Sequence, residues 1–339
     1  MQAQYYFIVQ FAQIVSVSRM SASLALSDID RLRAALAPDV LHTPSVALPE
    51  GLSRSSAQLV GKLELWQKTG SFKARGALAN VNALTGIQKQ HGVTAVSAGN
   101  HAIATAFAAA QRGVSAHVVM TATAPALRRQ KCEAFGAQVS LADDVHRAFE
   151  MAANIERQEQ RIMIHPFEGE LTAMATAGVG RELVLDVGAL DVVVVPVGGG
   201  GLAAGVAAAV KETQPDCRVI GVEPVGANSM ALSREAGRPV TLPQVDTIAD
   251  SLGAPMAMPI TFALCEHYLD ELVTVSDAQI VDSMRAIQQF LQLIVEPACA
   301  AALAAINTVL VDQVAGKRVG LIFCGSNMDL RSWQQCTGA

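Results

Sequence analysis

Charged residues are scarce in this 339-residue chain, at 16%. The net charge of −5 comes without any run of lysine or arginine. That leaves no basic footprint for nucleic acid or for an anionic membrane. The six cysteines (Cys132, Cys217, Cys265, Cys299, Cys324 and Cys336) are scattered, with no C-x-x-C pair and no zinc spacing. They read as free thiols of a reducing compartment, so a cytoplasmic location is expected and a zinc site is not. A G-x-x-x-x-G-K-[ST] loop is missing, which argues against ATP. Residues 5–17 are mostly apolar, but a membrane span needs ~20 such residues. No basic region precedes them, as a signal peptide would require. Internal repeats and low-complexity tracts are also lacking.

What is present is an apolar majority. The apolar share of 51% is far above that of a disordered chain. A chain of this length exceeds one small core, so two lobes are expected. Residues 1–19 read as an extension ahead of a start at Met20, with a helix opening near Ser27-Asp28-Ile29-Asp30. Apolar runs alternate with alanine-rich helical stretches, the pattern of a parallel sheet wrapped by helices. Strands are predicted at 94–97, 116–120 and 139–141, with helices at 101–113 and 126–135 between them. A second block runs through a strand at 192–197, a glycine turn, a helix at 203–212 and a strand at 219–222. A last strand at 319–323 leads into Cys324-Gly325-Ser326-Asn327.

Three segments carry chemistry, each where a strand gives way to a turn. In open α/β sheets the carboxyl ends of strands are where ligands bind. In Gly70-Ser71-Phe72-Lys73-Ala74-Arg75-Gly76-Ala77 a lysine sits between glycines at the start of a helical run. A Schiff-base lysine needs partial desolvation to lower its pKa and a rigid mount to aim its nitrogen. Gly198-Gly199-Gly200-Gly201-Leu202 follows a strand and opens a helix. Without Cβ atoms its backbone N–H groups can close on an anion, which makes a phosphate cradle. The third segment is Ser97-Ala98-Gly99-Asn100-His101. A rival reading exists, because Gly198, Gly200 and Ala203 match a dinucleotide fingerprint with Glu223 as its ribose acid. Against it, a nicotinamide enzyme has no use for the other two segments.

Together the three segments resemble the fold type II (tryptophan synthase β-like) pyridoxal-phosphate (PLP) enzymes, in the threonine/serine dehydratase and serine racemase branch. The likeness covers residues 62–77 without a break and extends from about 27 to 330. It takes in Leu41-His42-Thr43-Pro44, His165-Pro166-Phe167, Gly221-Val222-Glu223-Pro224 and Glu296-Pro297-Ala298. The resemblance implies an α/β architecture of two open, mostly parallel twisted sheets flanked by helices. It implies a large PLP-binding domain at 20–88 and 166–332, a small α/β domain at 89–165, and a homodimer. It further implies that Lys73 holds PLP as a Schiff base, with Phe72 beside the ring. Asn100 would reach the cofactor's 3′-oxygen, while Ser97, Ala98, Gly99, Asn100 and His101 surround the substrate carboxylate. Gly198, Gly199, Gly200, Gly201 and Leu202 would hold the phosphate, and Cys324 would face the ring nitrogen.

The chain departs from the family pattern at Ser251, Cys299, Ser326 and the Ala175-Thr176 pair. Ser229 stands where metal-binding members carry an aspartate, so Glu223 and Ala227 are not expected to hold a metal. The implied reaction is β-elimination from a small amino acid, L-threonine or L-serine, to a 2-oxo acid and ammonia. Alternatives are a dehydratase for 3-hydroxyaspartate, a racemase, or a PLP-binding regulatory protein. Ala98 argues against the racemase, because members with that activity carry a serine there as an acid/base. The chain ends soon after the Cys324 turn, so an amino-acid-sensing domain is not expected, and a catabolic or specialised role is. His101 is read as fixing its turn or lining the pocket, and His42, His117 and His165 as structural. Glu296 is read as a structural hydrogen-bonding group. Arg128 and Arg129 are expected to face solvent.

Overall fold

The computed structural model describes residues 23–339; the expected extension at 1–19 and the start at Met20 lie outside the described residues. In chain order the strands are β1 (Ser45–Ala47), β2 (Gln58–Lys62), β3 (Val93–Val96), β4 (Ala116–Thr121), β5 (Gln138–Ala142) and β6 (Ile162–Met163), then β7 (Val192–Pro196), β8 (Arg218–Pro224), β9 (Glu271–Val275) and β10 (Arg318–Ile322). A six-stranded sheet has the order β1-β2-β10-β7-β8-β9, and a four-stranded sheet the order β5-β4-β3-β6. All neighbours run parallel except β1 against β2. Among the described residues the first helix begins at Leu26, with Ala25 rather than Ser27 at its N-cap.

Central strands are apolar on both faces because helices cover both sides. Every residue of β7, Val-Val-Val-Val-Pro, is buried. β-branched side chains suit such a strand, since they pack on a pleated surface and lose little rotamer freedom there. The late strand β10 inserts between β2 and β7, pairing Val60 with Gly320 and Gly320 with Val193. This insertion brings the carboxyl ends of β2, β10 and β7 together, and those ends lead to Lys73, Cys324 and the glycine run. The second sheet delivers the 97–101 turn from the end of β3. Among the described residues, no helix is long and apolar enough to cross a membrane.

Candidate active site

Lys73 is the first residue of the helix Lys73–Asn82. Its segment is stitched to the turn after β10. Ser71 and Gly325 form an antiparallel bridge, the Phe72 N–H donates to the Cys324 carbonyl at 3.2 Å, and the Ser326 N–H donates to the Gly70 carbonyl at 2.9 Å. Gly70 has φ +75°, and a Cβ there would lie 2.7 Å from Asn327 Oδ1, so the turn admits only glycine. The rigid mount expected of a Schiff-base lysine is thus built from backbone bonds between segments far apart in the chain, Gly70–Phe72 and Cys324–Ser326.

The lysine amine donates to the Pro166 carbonyl at 2.5 Å and lies 5.0 Å from the Phe72 ring centroid. Part of the side chain reaches the surface, but protein atoms surround the amine itself. That desolvation pulls its pKa down to about 8, opposed by Cys324. One cavity is lined by Phe72, Lys73, His101, His165, Gly201 and Leu202 among others. His101 Nε2 donates to the Ile164 carbonyl at 2.7 Å, and His165 Nδ1 accepts from the Glu168 N–H at 2.8 Å. Burial first, and then neighbouring positive charge, pulls both imidazoles down to about 3, so both are neutral at working pH. His165, read as structural from sequence, therefore stands in the cavity wall beside Lys73. The signal for it was its place in the family-like His165-Pro166-Phe167.

The glycine run links β7 to the helix Gly201–Thr213, with Gly200 at the N-cap in the left-handed region at φ +90°. The first N–H groups of such a helix have no intrahelical acceptor, and the helix end is electropositive. A Cβ on Gly199 would fall 2.2 Å from the Phe167 ring, and one on Gly201 2.7 Å from the Phe167 carbonyl. Thr176, one of the departures from the family pattern, supports the run by donating its hydroxyl to the Gly201 carbonyl at 2.7 Å. A glycine cradle whose end, Gly201, lines one cavity with a desolvated lysine amine fits a phosphorylated aldehyde such as PLP. Gly199→Ala is expected to push the Phe167 ring off the loop. It should weaken cofactor retention at least ~10-fold, which equilibrium dialysis of bound PLP would read.

Of the 97–101 turn, His101 reaches the cavity, while Asn100 turns toward the six-stranded sheet. The Ser97 hydroxyl accepts from the Gly99 N–H at 3.1 Å and so shapes the turn around Ala98. The Asn100 amide donates to both Glu296 oxygens at 2.8 and 3.1 Å, and its Oδ1 accepts from Asn327 Nδ2 at 2.5 Å. The Glu296 carboxylate also accepts from the Ser251 hydroxyl at 2.9 Å and the Asn327 N–H at 2.6 Å. Burial pushes the Glu296 pKa up, yet this many donors require an acceptor-only carboxylate, and we assign it as ionised. Cys324 lies buried just past β10. Its thiol is hydrogen-bonded to the free thiol of Cys299, and this contact together with burial holds its pKa well above the usual thiol value.

Arg128 corrects the sequence reading. Only 4% of it is exposed. Its guanidinium pairs with Asp250 and approaches Glu296 at 3.5 Å, and its Nε donates to the Asn327 carbonyl at 3.0 Å. The helix Ala126–Ala134 turns this face toward the six-stranded sheet instead of solvent. Arg129 does stay part-exposed, beside Glu133. Glu223 uses its carboxylate to accept from the Met230 and Ala231 N–H groups at 2.9 and 2.8 Å. Among the described residues, no group of three or more His, Cys, Asp or Glu could hold a metal ion.

The pyridoxal-phosphate dependent enzyme family profile matches residues 36–325. The phenylserine dehydratase of Ralstonia pickettii is 45% identical over 313 residues, 92% of this chain and 96% of its own. The L-threonine ammonia-lyase of Thermotoga maritima is 35% identical over 309 residues, 91% of this chain and 76% of its own. The solved structure of maize serine racemase superposes with a TM-score of 0.85 at 32% identity, covering 93% of this chain and 97% of that one. With a family match over most of its length and relatives this similar, the chain belongs to the pyridoxal-phosphate dependent enzymes, in the fold type II branch of dehydratases and racemases, and PLP is its cofactor.

Proposed function

We propose that this enzyme is an ammonia-lyase that removes water and then ammonia from a small β-hydroxy amino acid, leaving a 2-oxo acid. The observation that carries the reading is the Lys73 amine, desolvated to a pKa of about 8 in the cavity that Gly201 and Leu202, at the end of the glycine run, also line. Among substrates, 3-phenylserine ranks ahead of L-threonine and L-serine. The relative named for it is 45% identical to this chain, against 35% for the threonine ammonia-lyase. The division into 20–88 with 166–332 and 89–165 is supported by the two sheets, since the four-stranded one draws only on residues from Val93 to Met163.

PLP supplies the electron sink for the bond electrons released at Cα. Gly198, Gly199, Gly200, Gly201 and Leu202 would bind the phosphate through backbone N–H groups, and Phe72 bounds the cavity beside Lys73. The Ser97, Ala98 and Gly99 turn would hold the substrate carboxylate, and Asn100, fixed by Glu296 and Asn327, would orient the cofactor's 3′-oxygen. With PLP bound, Lys73 Nζ would be the group placed to accept the Cα proton as general base. The Cys324 thiol stays neutral and would not stabilise a protonated ring nitrogen. Prompt loss of the β-hydroxyl as water is then favoured over transamination. The product tautomerises and takes up water, so the balance is hydroxy amino acid to 2-oxo acid plus ammonium.

The racemase alternative requires a proton carrier on the face opposite Lys73, and Ala98 has none. Substrate recovered at half conversion is expected to keep its starting configuration, read by chiral chromatography. The reading is tested by an ammonia and 2-oxo acid assay on PLP-loaded protein with 3-phenylserine, L-threonine, L-serine and 3-hydroxyaspartate. Equimolar ammonia and 2-oxo acid from one of them is the expected result. No product from any, with PLP bound, would sink it.

A further inference from the structure

A buried arginine in the first turn of a helix needs an explanation. Arg128 is the third residue of Ala126–Ala134, at the end where the helix dipole is positive and disfavours a cation. Burial adds a second cost. Both are offset by Asp250 and Glu296, which keep the guanidinium charged. The elements that meet on it are far apart in sequence. Asp250 precedes β9, Glu296 opens the helix Pro297–Ile306, Asn327 follows β10, and the 97–101 turn follows β3. A Cβ on Gly99 would lie 3.1 Å from Arg128 Nη1, so the guanidinium backs directly onto that turn. Lys131, one turn further along, donates to Asn327 Oδ1 at 2.5 Å. The same Asn327 and Glu296 grip the Asn100 amide.

We propose that Arg128 is a positioning residue for the cofactor site: it latches the four-stranded sheet's layer onto the six-stranded one, and by holding Glu296 and Asn327 it fixes the Asn100 amide in one orientation. The inference rests on the reading above that Asn100 orients the cofactor's 3′-oxygen. A planar guanidinium suits the role because it engages Asp250, Glu296 and the Asn327 carbonyl at once, in one fixed fork. A lysine at this position would reach one of them as a point charge. Neighbouring Arg129, with its different exposure and partner, has no part in the latch.

The test uses the PLP-loaded enzyme with Arg128→Gln, Arg128→Lys, Asn100→Ala and, as control, Arg129→Gln. Two properties are read: the rate of PLP loss on dilution and the circular dichroism band of the bound cofactor. Arg128→Gln is expected to lose PLP roughly 10-fold faster and to move the band in the same direction as Asn100→Ala. Arg128→Lys should recover part of both, and Arg129→Gln should match the wild type. If Asn100→Ala alters the band while Arg128→Gln leaves band and loss rate unchanged, the latch is overturned and the Asn100 reading survives. If Asn100→Ala itself changes nothing, the Asn100 reading fails and takes this inference with it. Should Arg128→Gln fail to fold, Asp250→Asn, which unpairs the guanidinium from the far side, takes its place. An unchanged band there overturns the latch equally.

Discussion

Lys73→Ala is expected to cut ammonia and 2-oxo acid release by ~10³-fold or more while leaving the fold intact. The size of the effect follows from the cavity's contents. The other two nitrogen bases, His101 and His165, have pKa values near 3 and take protons poorly at neutral pH. Neither can stand in for the lost amine as proton acceptor. The fold should survive because the lysine's one strong tether is to the Pro166 carbonyl, and alanine is a good first residue for the helix Lys73–Asn82. The wild type carries a matching pH signature. A free amine with a pKa of about 8 is mostly protonated at pH 6 and mostly neutral at pH 9. Turnover at saturating substrate should therefore rise roughly tenfold per pH unit below that pKa and level off above it. A pH-independent rate across that window would show that Lys73 is not the proton acceptor in the slow step.

Arg75→Ala is expected to produce the largest loss of stability, about 3–5 kcal/mol. Arg75 sits two residues after Lys73, with its side chain 2% exposed between Glu64 at 0% and Glu182 at 3%. It bonds Glu64 at 2.7 and 2.9 Å and Glu182 with two bonds of 2.8 Å. Lys62 pairs with Glu182 at 2.9 Å from the far side. Removing the guanidinium leaves Lys62 as the one cation for two buried carboxylates, so Glu64 is stranded without an ionic partner. Arg75→Lys should cost about half as much, since an ammonium engages one carboxylate at a time. Urea denaturation of the two variants beside the wild type checks both values. A midpoint for Arg75→Ala equal to that of the wild type would mean that the network contributes no net stability.

Local punctuation made most of the fold legible. Strand 192–197 followed by four glycines and a helix was readable because valine repeats and missing Cβ atoms act within a few residues. The predicted boundaries of β3, β4, β5, β7, β8 and β10 fall within two residues of those observed. Helix ends without glycine were less legible: Gln160 and Gln292 terminate their helices at φ 54° and 52°, a role that glutamine does not advertise. The candidate site was legible to the extent that its groups lie on such turns. Lys73, the 97–101 turn, the glycine run and Cys324 could all be named from sequence, and Thr176 could be named as a departure without its purpose.

What the sequence by itself determined, then, was the set of strand–turn–helix units and the chemical parts at their carboxyl ends. Propensity, glycine freedom and hydrophobic period are local properties, so a local reading recovers them. What only the tertiary structure decided is which of those ends meet and which charges go inside. β10 enters the sheet between strands that precede it by more than a hundred residues. Arg128 reads as a surface arginine until Asp250 and Glu296, over a hundred residues later, are brought against it. His165 reads as a turn residue until Lys73 is placed beside it. Burial of a polar group is stable only with its partners in place, and those partners are fixed by packing across the whole chain rather than by neighbours in sequence.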